Sequence, residues 1–353
     1  MSFILYENPL RKEKIEIELP VRCLVEMDKI RDEAGIPGYL DCTDFQMKKL
    51  IAILWSSKHL ADVDRAIYEK RAGQSMPVAV FGGAGFRLHC PSLNDRHSPF
   101  HRHVKDIDLL ILKKDAHDWV EILCHLHDTL GNMHFHTTTH SDKRFNLLRR
   151  GDRYRLTTLC ELSEDGTPEP GILELFSEKL CFCHEFILTD EVQKAKDNFF
   201  TIGLENLILL KTQFIKKVHK SELTPEHEYR ILQEYDKNSV LIGMEDKDMR
   251  DVAAAIFDHE LGVGNDFLNI DQLGTKLLRD WGTWKTCAMN LENMRRNLES
   301  VVNKYGASQV HRETIDNRLA SMLEFLNSKY RPKKPALSFG HKQWWEDVEE
   351  QVR

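Results

Sequence analysis

Two short stretches decide the fold that we predict for this chain: residues 78–84 read VAVFGGA, and residues 104–112 read VKDIDLLIL. Each contains a short apolar run bounded by polar or glycine residues, which is typical of a buried strand. The first run ends at Gly82 and Gly83, a pair that predicts a turn. In the second, Asp106 and Asp108 are two residues apart, so a strand would project both carboxylates from the same face.

A third acid lies in a similar context further along the chain. Glu174 is the single acid within the apolar run GILELF at residues 171–176. If that strand lies beside the strand of Asp106 and Asp108, three carboxylates converge. Like charges are costly to bury unless a cation neutralises them, and a purely oxygen-based ligand set favours Mg²⁺ or Mn²⁺. The alternative is that these acids simply face solvent along a sheet edge.

The glycine pair has the properties of a phosphate-binding turn. Glycine permits positive φ and a close backbone approach, so successive N–H groups can form a concave anion site. A helix beginning near Ala84 would add its N-terminal dipole, and Arg87 lies one turn further on. We therefore expect Gly82, Gly83 and Arg87 to bind phosphate groups. The alternative is an ordinary tight turn.

Outward from these motifs, the pattern indicates an α+β fold: a small mixed sheet flanked by helices, followed by a helical domain. Residues 1–75 predict a mainly helical extension, and residues 76–190 the mixed core. Residues 191–327 carry apolar residues at helical spacing, for example over 204–219 and 247–259. Residues 328–353 contain prolines and a basic cluster, and predict a linker and tail.

Composition limits the functional classes. The chain has 353 residues, of which 41% are apolar and 30% charged, with a net charge of −7. These values are ordinary for a globular protein. They argue against a protein that coats nucleic acid in general, but they are compatible with a local basic site.

The eight cysteines are scattered and do not form a disulfide pattern. With no signal-peptide pattern and no long apolar stretch, we expect a cytoplasmic protein with no membrane contact.

The order of these motifs resembles that of the DNA polymerase beta superfamily of nucleotidyltransferases. Residues 80–89, VFGGAGFRLH, and 105–110, KDIDLL, are especially similar to the abortive-infection type nucleotidyltransferase toxins and to uncharacterised bacterial relatives. The likeness covers roughly residues 77–285. It departs from the commoner pattern in a long histidine-rich loop before Asp106 and in having glutamate as the third acid.

The resemblance implies an enzyme that moves a nucleoside monophosphate from an NTP to an acceptor hydroxyl and releases pyrophosphate. It assigns the catalytic and metal-binding roles to Asp106, Asp108 and Glu174, and the phosphate loop to Gly82 and Gly83. The implied cofactor is Mg²⁺ or Mn²⁺. The acceptor class stays open: an RNA end such as that of tRNA, a protein, or a small molecule. Neither the oligomeric state nor membership of a toxin system follows from the sequence.

Two later segments also resemble elements of these relatives. Lys211 lies within an apolar helical stripe, where its ammonium must reach solvent or find an anion such as a triphosphate. Lys247, Asp248 and Asp251 are secondary candidates, because Asp248 and Asp251 are one helical turn apart and could position Lys211 or an acceptor. The alternative is helix-start chemistry, with Asp246 or Asp248 as the N-cap.

A basic stretch separates the second and third acidic motifs. It comprises Lys143, Arg144, Arg149, Arg150, Arg153 and Arg155. A hairpin there could receive an acidic acceptor such as an RNA end, or it could present a solvated face.

Two other function classes compete with the enzyme. The first is a non-catalytic nucleotide-binding or toxin/antitoxin-like module on the same fold. The second is a partner-binding protein that uses Trp344 and Trp345 as a docking tail.

Overall fold

A computed structural model describes residues 3–7, 14–18, 27–40, 45–104, 106–130, 135–136, 152–162, 168–195, 200–262, 267–334 and 343–345. Four of the basic residues singled out in the sequence, Lys143, Arg144, Arg149 and Arg150, lie outside these ranges.

The described strands are β1 (Phe3–Glu7), β2 (Lys14–Glu18), β3 (Val78–Phe81), β4 (Asp106–Ile111), β5 (Phe135–His136), β6 (Arg153–Leu162), β7 (Pro168–Ser177), β8 (Lys179–Cys181), β9 (Glu185–Ile187), β10 (Lys216–His219), β11 (Ile231–Asp236), β12 (Ser239–Ile242), β13 (Leu261–Gly262) and β14 (Leu268–Asn269). The described α-helices are α1 (Met27–Ala34), α2 (Phe45–Ser56), α3 (Leu60–Val63), α4 (Arg65–Lys70), α5 (Gly82–His89), α6 (Pro91–Asn94), α7 (Ala116–Leu130), α8 (Thr189–Lys194), α9 (Leu204–Lys211), α10 (Asp246–Asp258), α11 (Ile270–Leu277), α12 (Trp281–Arg296), α13 (Leu298–Lys304) and α14 (Gln309–Lys329).

The described residues form two compact units. The first draws on residues 1–88, 103–179 and 188–202, and the second on residues 89–102, 180–187 and 203–353. The domain boundaries predicted at 75, 190 and 327 stay a prediction.

The first unit is built on a five-stranded mixed sheet with the order β3-β4-β7-β6-β5. Strand β4 pairs antiparallel with β3 and parallel with β7, and β7 pairs antiparallel with β6. The far edge of β3 is also covered, because Val80 exchanges backbone hydrogen bonds with Phe200 and Ile202. The predicted small mixed sheet flanked by helices is thus confirmed. Strand β3 leads into the glycine pair, β4 carries Asp106 and Asp108, and β7 carries Glu174.

One face of this sheet forms the apolar core of the first unit. The alternate residues Ile107, Leu109 and Ile111 of β4 are fully buried, as are Leu173 and Leu175 of β7. They share a core with side chains of α2 and α7, including Trp119. Because side chains alternate along a strand, burying this set commits the other set, which includes Asp106 and Asp108, to the opposite face.

The second unit is mainly helical and includes a three-stranded antiparallel sheet with the order β10-β12-β11. The apolar periodicity over residues 204–219 predicts one helix, and this prediction is wrong in its second half: α9 ends at Lys211, and residues 216–219 form β10. The buried Asn290 amide donates to the carbonyls of Thr212 and Phe214, which holds the chain away from a helical path. A contact of this kind overrides local propensity.

Within the part of the chain that the structure describes, no helix is long and apolar enough to cross a bilayer.

Candidate active site

The turn between β3 and α5 brings Gly82 against Asp108. Strand β3 ends at Phe81, whose register partner on β4 is Asp108. Gly82 follows with φ of +63°, in the left-handed region that favours glycine. A Cβ atom added to Gly82 would overlap the carboxylate of Asp108. Two features therefore favour glycine at position 82: the positive φ of the backbone and the close approach of the Asp108 carboxylate.

Three acidic side chains share the face opposite the core. Asp106 and Asp108 are half-buried, whereas Ile107 between them is fully buried. In the parallel pairing of β4 with β7, Asp108 lies directly opposite Glu174. Directly paired residues project from the same face of a pleated sheet, so Glu174 joins the two aspartates there. The strand adjacency on which the sequence argument depended is present.

Glu174 is engaged by two arginines of the neighbouring strand. Arg155, its register partner on β6, donates from Nε to Oε1 at 2.7 Å, and Arg153 donates from Nη2 to Oε2. The glutamate is 7% exposed, so this is a mostly buried ion pair in which both carboxylate oxygens accept hydrogen bonds. In the sequence both arginines belong to the basic stretch between the second and third acidic motifs, and nothing there pairs them with Glu174.

Aromatic rings hold Arg153 in place beside the acids. Its guanidinium lies 4.3 Å from the centroid of the Phe176 ring, a cation–π contact. Phe176 in turn meets Phe81 edge to face, with ring centroids 5.1 Å apart. Phe81 is the residue immediately before Gly82, so the glycine turn, the acids and the arginines form one contiguous arrangement on the sheet.

A group of potential metal ligands in the described residues lies elsewhere, on α7. His117, Asp118 and Glu121 on α7 each offer a ligand atom, and these atoms lie within 4.8 Å of one another. Asp118 accepts hydrogen bonds from Lys70 at 2.6 Å and Arg71 at 3.1 Å, so ion pairs already account for its position. Within the described residues, the ligand atoms of Asp106, Asp108 and Glu174 are not gathered within that distance.

Arg87 takes a position different from the one that its spacing suggested. It lies on α5 and is 1% exposed, one of the largest fully buried side chains in the described chain. A guanidinium with so little surface cannot meet a phosphate from solvent without a rearrangement. Its predicted role in phosphate binding stays a prediction.

Lys211 belongs to a buried charge cluster of the second unit. Its ammonium lies 2.5 Å from Asp248 Oδ1 and 3.6 Å from Asp251 Oδ2. Arg102 donates to both oxygens of Asp251, at 2.8 and 2.6 Å. The sequence hypothesis that Asp248 and Asp251 position Lys211 agrees with this geometry. Lys247 instead pairs with Glu245 at 2.9 Å, at the start of α10.

The charges in this cluster shift its pKa values. Burial alone would raise the pKa of Asp251, but the charges of Arg102 and Lys211 outweigh it and hold the pKa below its ordinary value. Burial alone would lower the pKa of Lys211, but Asp248 and Asp251 raise it above its ordinary value. Both partners therefore stay ionised at neutral pH.

Comparisons with known proteins find two structures with low similarity to this chain. No protein-family model matches the chain, and a search of curated proteins finds no match. Among solved structures, a proposed nucleotidyltransferase from H. pylori is 14% identical over 82% of this chain and 97% of its own, with a TM-score of 0.36. JHP933 from Helicobacter pylori is 15% identical over 82% of this chain and 94% of its own, with a TM-score of 0.37. TM-scores in this range do not establish a common fold, so the chemistry of the site rests on its own residues.

Proposed function

We propose that the chain is a nucleotidyltransferase that transfers a nucleoside monophosphate from an NTP to an acceptor hydroxyl and releases pyrophosphate. One observation carries the proposal: the carboxylate of Asp108 lies over the Gly82 turn, which has a positive φ, and directly opposite Glu174 on the next strand. The Asp108 carboxylate thus lies next to a glycine turn, whose backbone N–H groups could bind an anion such as a phosphate.

The donor chemistry of the acidic face fits a divalent cation. Asp106 and Asp108 project from the same face and are half-buried, so their mutual repulsion is only partly screened by water. Two carboxylates with phosphate and water oxygens are the ligands that Mg²⁺ takes in such sites, and Mn²⁺ accepts the same set. When bound, the ion would supply charge stabilisation for the phosphoryl group and for the leaving pyrophosphate.

The remaining residues supply binding and orientation. Gly82 and Gly83 are the first two residues of α5 and are partly exposed. Their backbone N–H groups can donate hydrogen bonds to phosphate oxygens at the helix N-terminus. Arg153 and Arg155, held by Glu174, place two guanidinium groups on the acidic face. We assign Glu174 the role of fixing these guanidinium groups, where they can meet a triphosphate or the acceptor.

The direct test measures incorporation of each labelled NTP with Mg²⁺ into cellular RNA, protein and small-molecule pools. Asp106→Asn with Asp108→Asn should reduce incorporation to background, because the cation loses its two ligands. Asp62→Asn with Glu69→Gln is a matched control, since these two carboxylates are exposed on the surface of the same unit. Incorporation that is unchanged in the Asp106/Asp108 variant would refute the assignment, and the labelled pool would identify the acceptor class.

A non-catalytic nucleotide-binding module is the second candidate, and one observation favours it. Both oxygens of Glu174 already accept hydrogen bonds from arginines, so the third of the three acids is engaged by protein groups rather than by a cation. Calorimetry with Mg²⁺ and each NTP, followed by an assay for pyrophosphate, separates the two candidates. Binding without pyrophosphate release in the presence of every acceptor pool would favour the module.

A further inference from the structure

A cavity of about 580 Å³ lies in the second unit, where α12 begins. Its volume falls within the roughly 300–1,000 Å³ range of small-molecule sites. The residues that line it are three tryptophans, four cations, a proline and a glutamine: Trp281, Trp284, Trp344, Lys285, Arg331, Lys333, Lys334, Pro332 and Gln233. All belong to the described chain, and none of them is acidic. In a protein with a net charge of −7, this is a local concentration of positive charge.

The tryptophans are fixed by the packing of the second unit. The rings of Trp281 and Trp344 meet edge to face with centroids 5.9 Å apart, and Trp344 donates from Nε1 to Thr286 at 3.3 Å. A Cβ added to Gly282 would come within 2.9 Å of the Trp344 carbonyl oxygen, so this glycine permits the segment at 343–345 to dock on α12. The tryptophan pair that the sequence suggested as a docking tail is thus packed on its own chain, and Trp345 is 5% exposed.

The cations are arranged over the same rings. Arg331 lies 5.1 Å from the ring centroid of Trp284, and Lys334 lies 5.5 Å from that of Trp281. Arg331, Lys333 and Lys334 are exposed, so their charges face the solvent from which a ligand arrives. The first turn of α12 adds positive potential, although the side chain of its N-cap, Asp280, already accepts from the backbone N–H of Thr283.

One polar group of a residue that lines the cavity has no partner among the described residues. Trp284 is 5% exposed, and its Nε1 has no hydrogen-bond acceptor among the described residues. A buried indole N–H usually has an acceptor, and leaving one without an acceptor costs free energy. Because Nε1 has almost no exposed surface, a ligand in the cavity could accept a hydrogen bond from it only after a local rearrangement.

We propose that this cavity binds a nucleobase that carries phosphate, the chemistry shared by a mononucleotide and by the end of a single-stranded RNA. Flat aromatic walls favour a ring with an exposed π face, and the four cations favour attached negative charge. An acidic peptide would satisfy the cations but would bring no flat ring to the exposed parts of Trp281 and Trp344. The inference does not depend on the proposed transfer activity.

The test measures binding of a short fluorescent single-stranded RNA to the full chain by anisotropy, in EDTA so that no divalent cation contributes. Trp281→Ala should weaken binding by about tenfold or more, the scale of loss of one stacked base. Lys333→Ala with Lys334→Ala should weaken it too, and should reduce the slope of log affinity against log salt by about 1.4, or 0.7 for each phosphate contact removed. Because both lysines are exposed, this variant should fold normally even if Trp281→Ala does not.

Matched controls are available in the chain. Lys113→Ala with Lys114→Ala removes another exposed lysine pair, and Phe267→Ala removes another exposed aromatic ring. Neither should change RNA binding. The binding assay in EDTA measures no transfer, so failure of the proposed transfer activity is distinguishable from failure of this inference.

The outcomes separate the ligand sources. Parallel loss of NTP and RNA binding in the cavity variants supports a mononucleotide-sized ligand, and loss of RNA binding alone supports a strand end. Equal RNA binding by all variants would overturn the proposal. Inorganic polyphosphate and an acidic peptide carry no base. If either bound as tightly as the RNA, and lost affinity to the same extent in the cavity variants, the proposal would also be overturned.

Discussion

Asp108 lies directly opposite Glu174 in the parallel pairing of β4 with β7, and both project from the face of the sheet that turns away from the core. The two acids nevertheless differ in their surroundings. Asp108 lies over the Gly82 turn, whereas Glu174 is fixed between Arg153 and Arg155. Adjacent acids on one face therefore have separate surroundings: Glu174 pairs with the guanidinium groups, and Asp108 is the acid to which the proposed function assigns a cation.

Gly82→Ala should destabilise the first unit and abolish NTP incorporation. The new Cβ would overlap the Asp108 carboxylate, and alanine at φ of +63° adds backbone strain of about 1–3 kcal/mol. Urea unfolding measures the first effect, and the incorporation assay measures the second. Gly38→Ala is the control, because a Cβ at Gly38 would meet no atom within 4 Å. Equal unfolding midpoints for the two variants would contradict the geometry.

Glu174→Gln should lower stability as well as activity. Two guanidinium groups lose their anionic partner, and breaking a buried ion pair costs about 3–5 kcal/mol. The arginine side chains keep 25% and 17% exposure, so we expect the low end of that range or less. A double-mutant cycle with Arg155→Gln should show coupling between the two sites. If Glu174 were only a metal ligand, the variant would lose incorporation and keep the wild-type unfolding curve.

Asp251→Asn should remove an acid-sensitive part of the stability. Burial raises the pKa of Asp251, but Arg102 and Lys211 lower it further, so the folded-state pKa lies below the unfolded value of about 3.9. A depressed carboxyl pKa contributes stability that is present above about pH 4 and is lost as the pH falls through the folded pKa. The free energy of unfolding should therefore differ less between wild type and Asp251→Asn as the pH falls from about 5 to about 3, a range that spans the unfolded pKa of about 3.9. A difference that stays constant across this window would contradict the ion-pair assignment.

Asn290→Ala should destabilise the second unit by about 2–4 kcal/mol, because several buried backbone groups lose their partner at once. Its amide donates to the Thr212 and Phe214 carbonyls, and its Oδ1 accepts from the backbone N–H of Met244. Thermal or urea unfolding checks this, with the exposed Asn303→Ala as control. Equal loss in both variants would contradict the stabilising role that we assign to the hydrogen bonds of Asn290.

Alkylation of the folded protein should discriminate among the described cysteines. Burial raises the pKa of Cys287 to about 12, and burial together with Asp258 and Asp251 raises that of Cys90. Thiolates are the reactive form, so both should resist iodoacetamide at pH 8, roughly the ordinary range of a thiol pKa, whereas the exposed Cys181 should react. Peptide mass spectrometry gives the site occupancies. Rapid labelling of Cys287 under native conditions would show that its environment opens.

The sequence predicted the strands β3, β4 and β7 of the first unit and the face on which the acids of β4 lie. Alternation of Asp106 and Asp108 with Ile107 and Leu109 is a local property, and the position of Gly82 after a buried strand is another. Both follow from the period of a strand and from the conformations that glycine permits. No tertiary information was needed to expect carboxylates near a glycine turn.

The tertiary structure decided which groups the acids and cations meet. The partners of Glu174 come from β6, which is adjacent only because of the strand order, and Arg87 is buried although its spacing suggested a phosphate contact. Likewise α9 ends at Lys211 because Asn290, distant in sequence, takes the carbonyls that follow. Periodicity reports one segment at a time, whereas burial and hydrogen bonding depend on which segments the fold brings together.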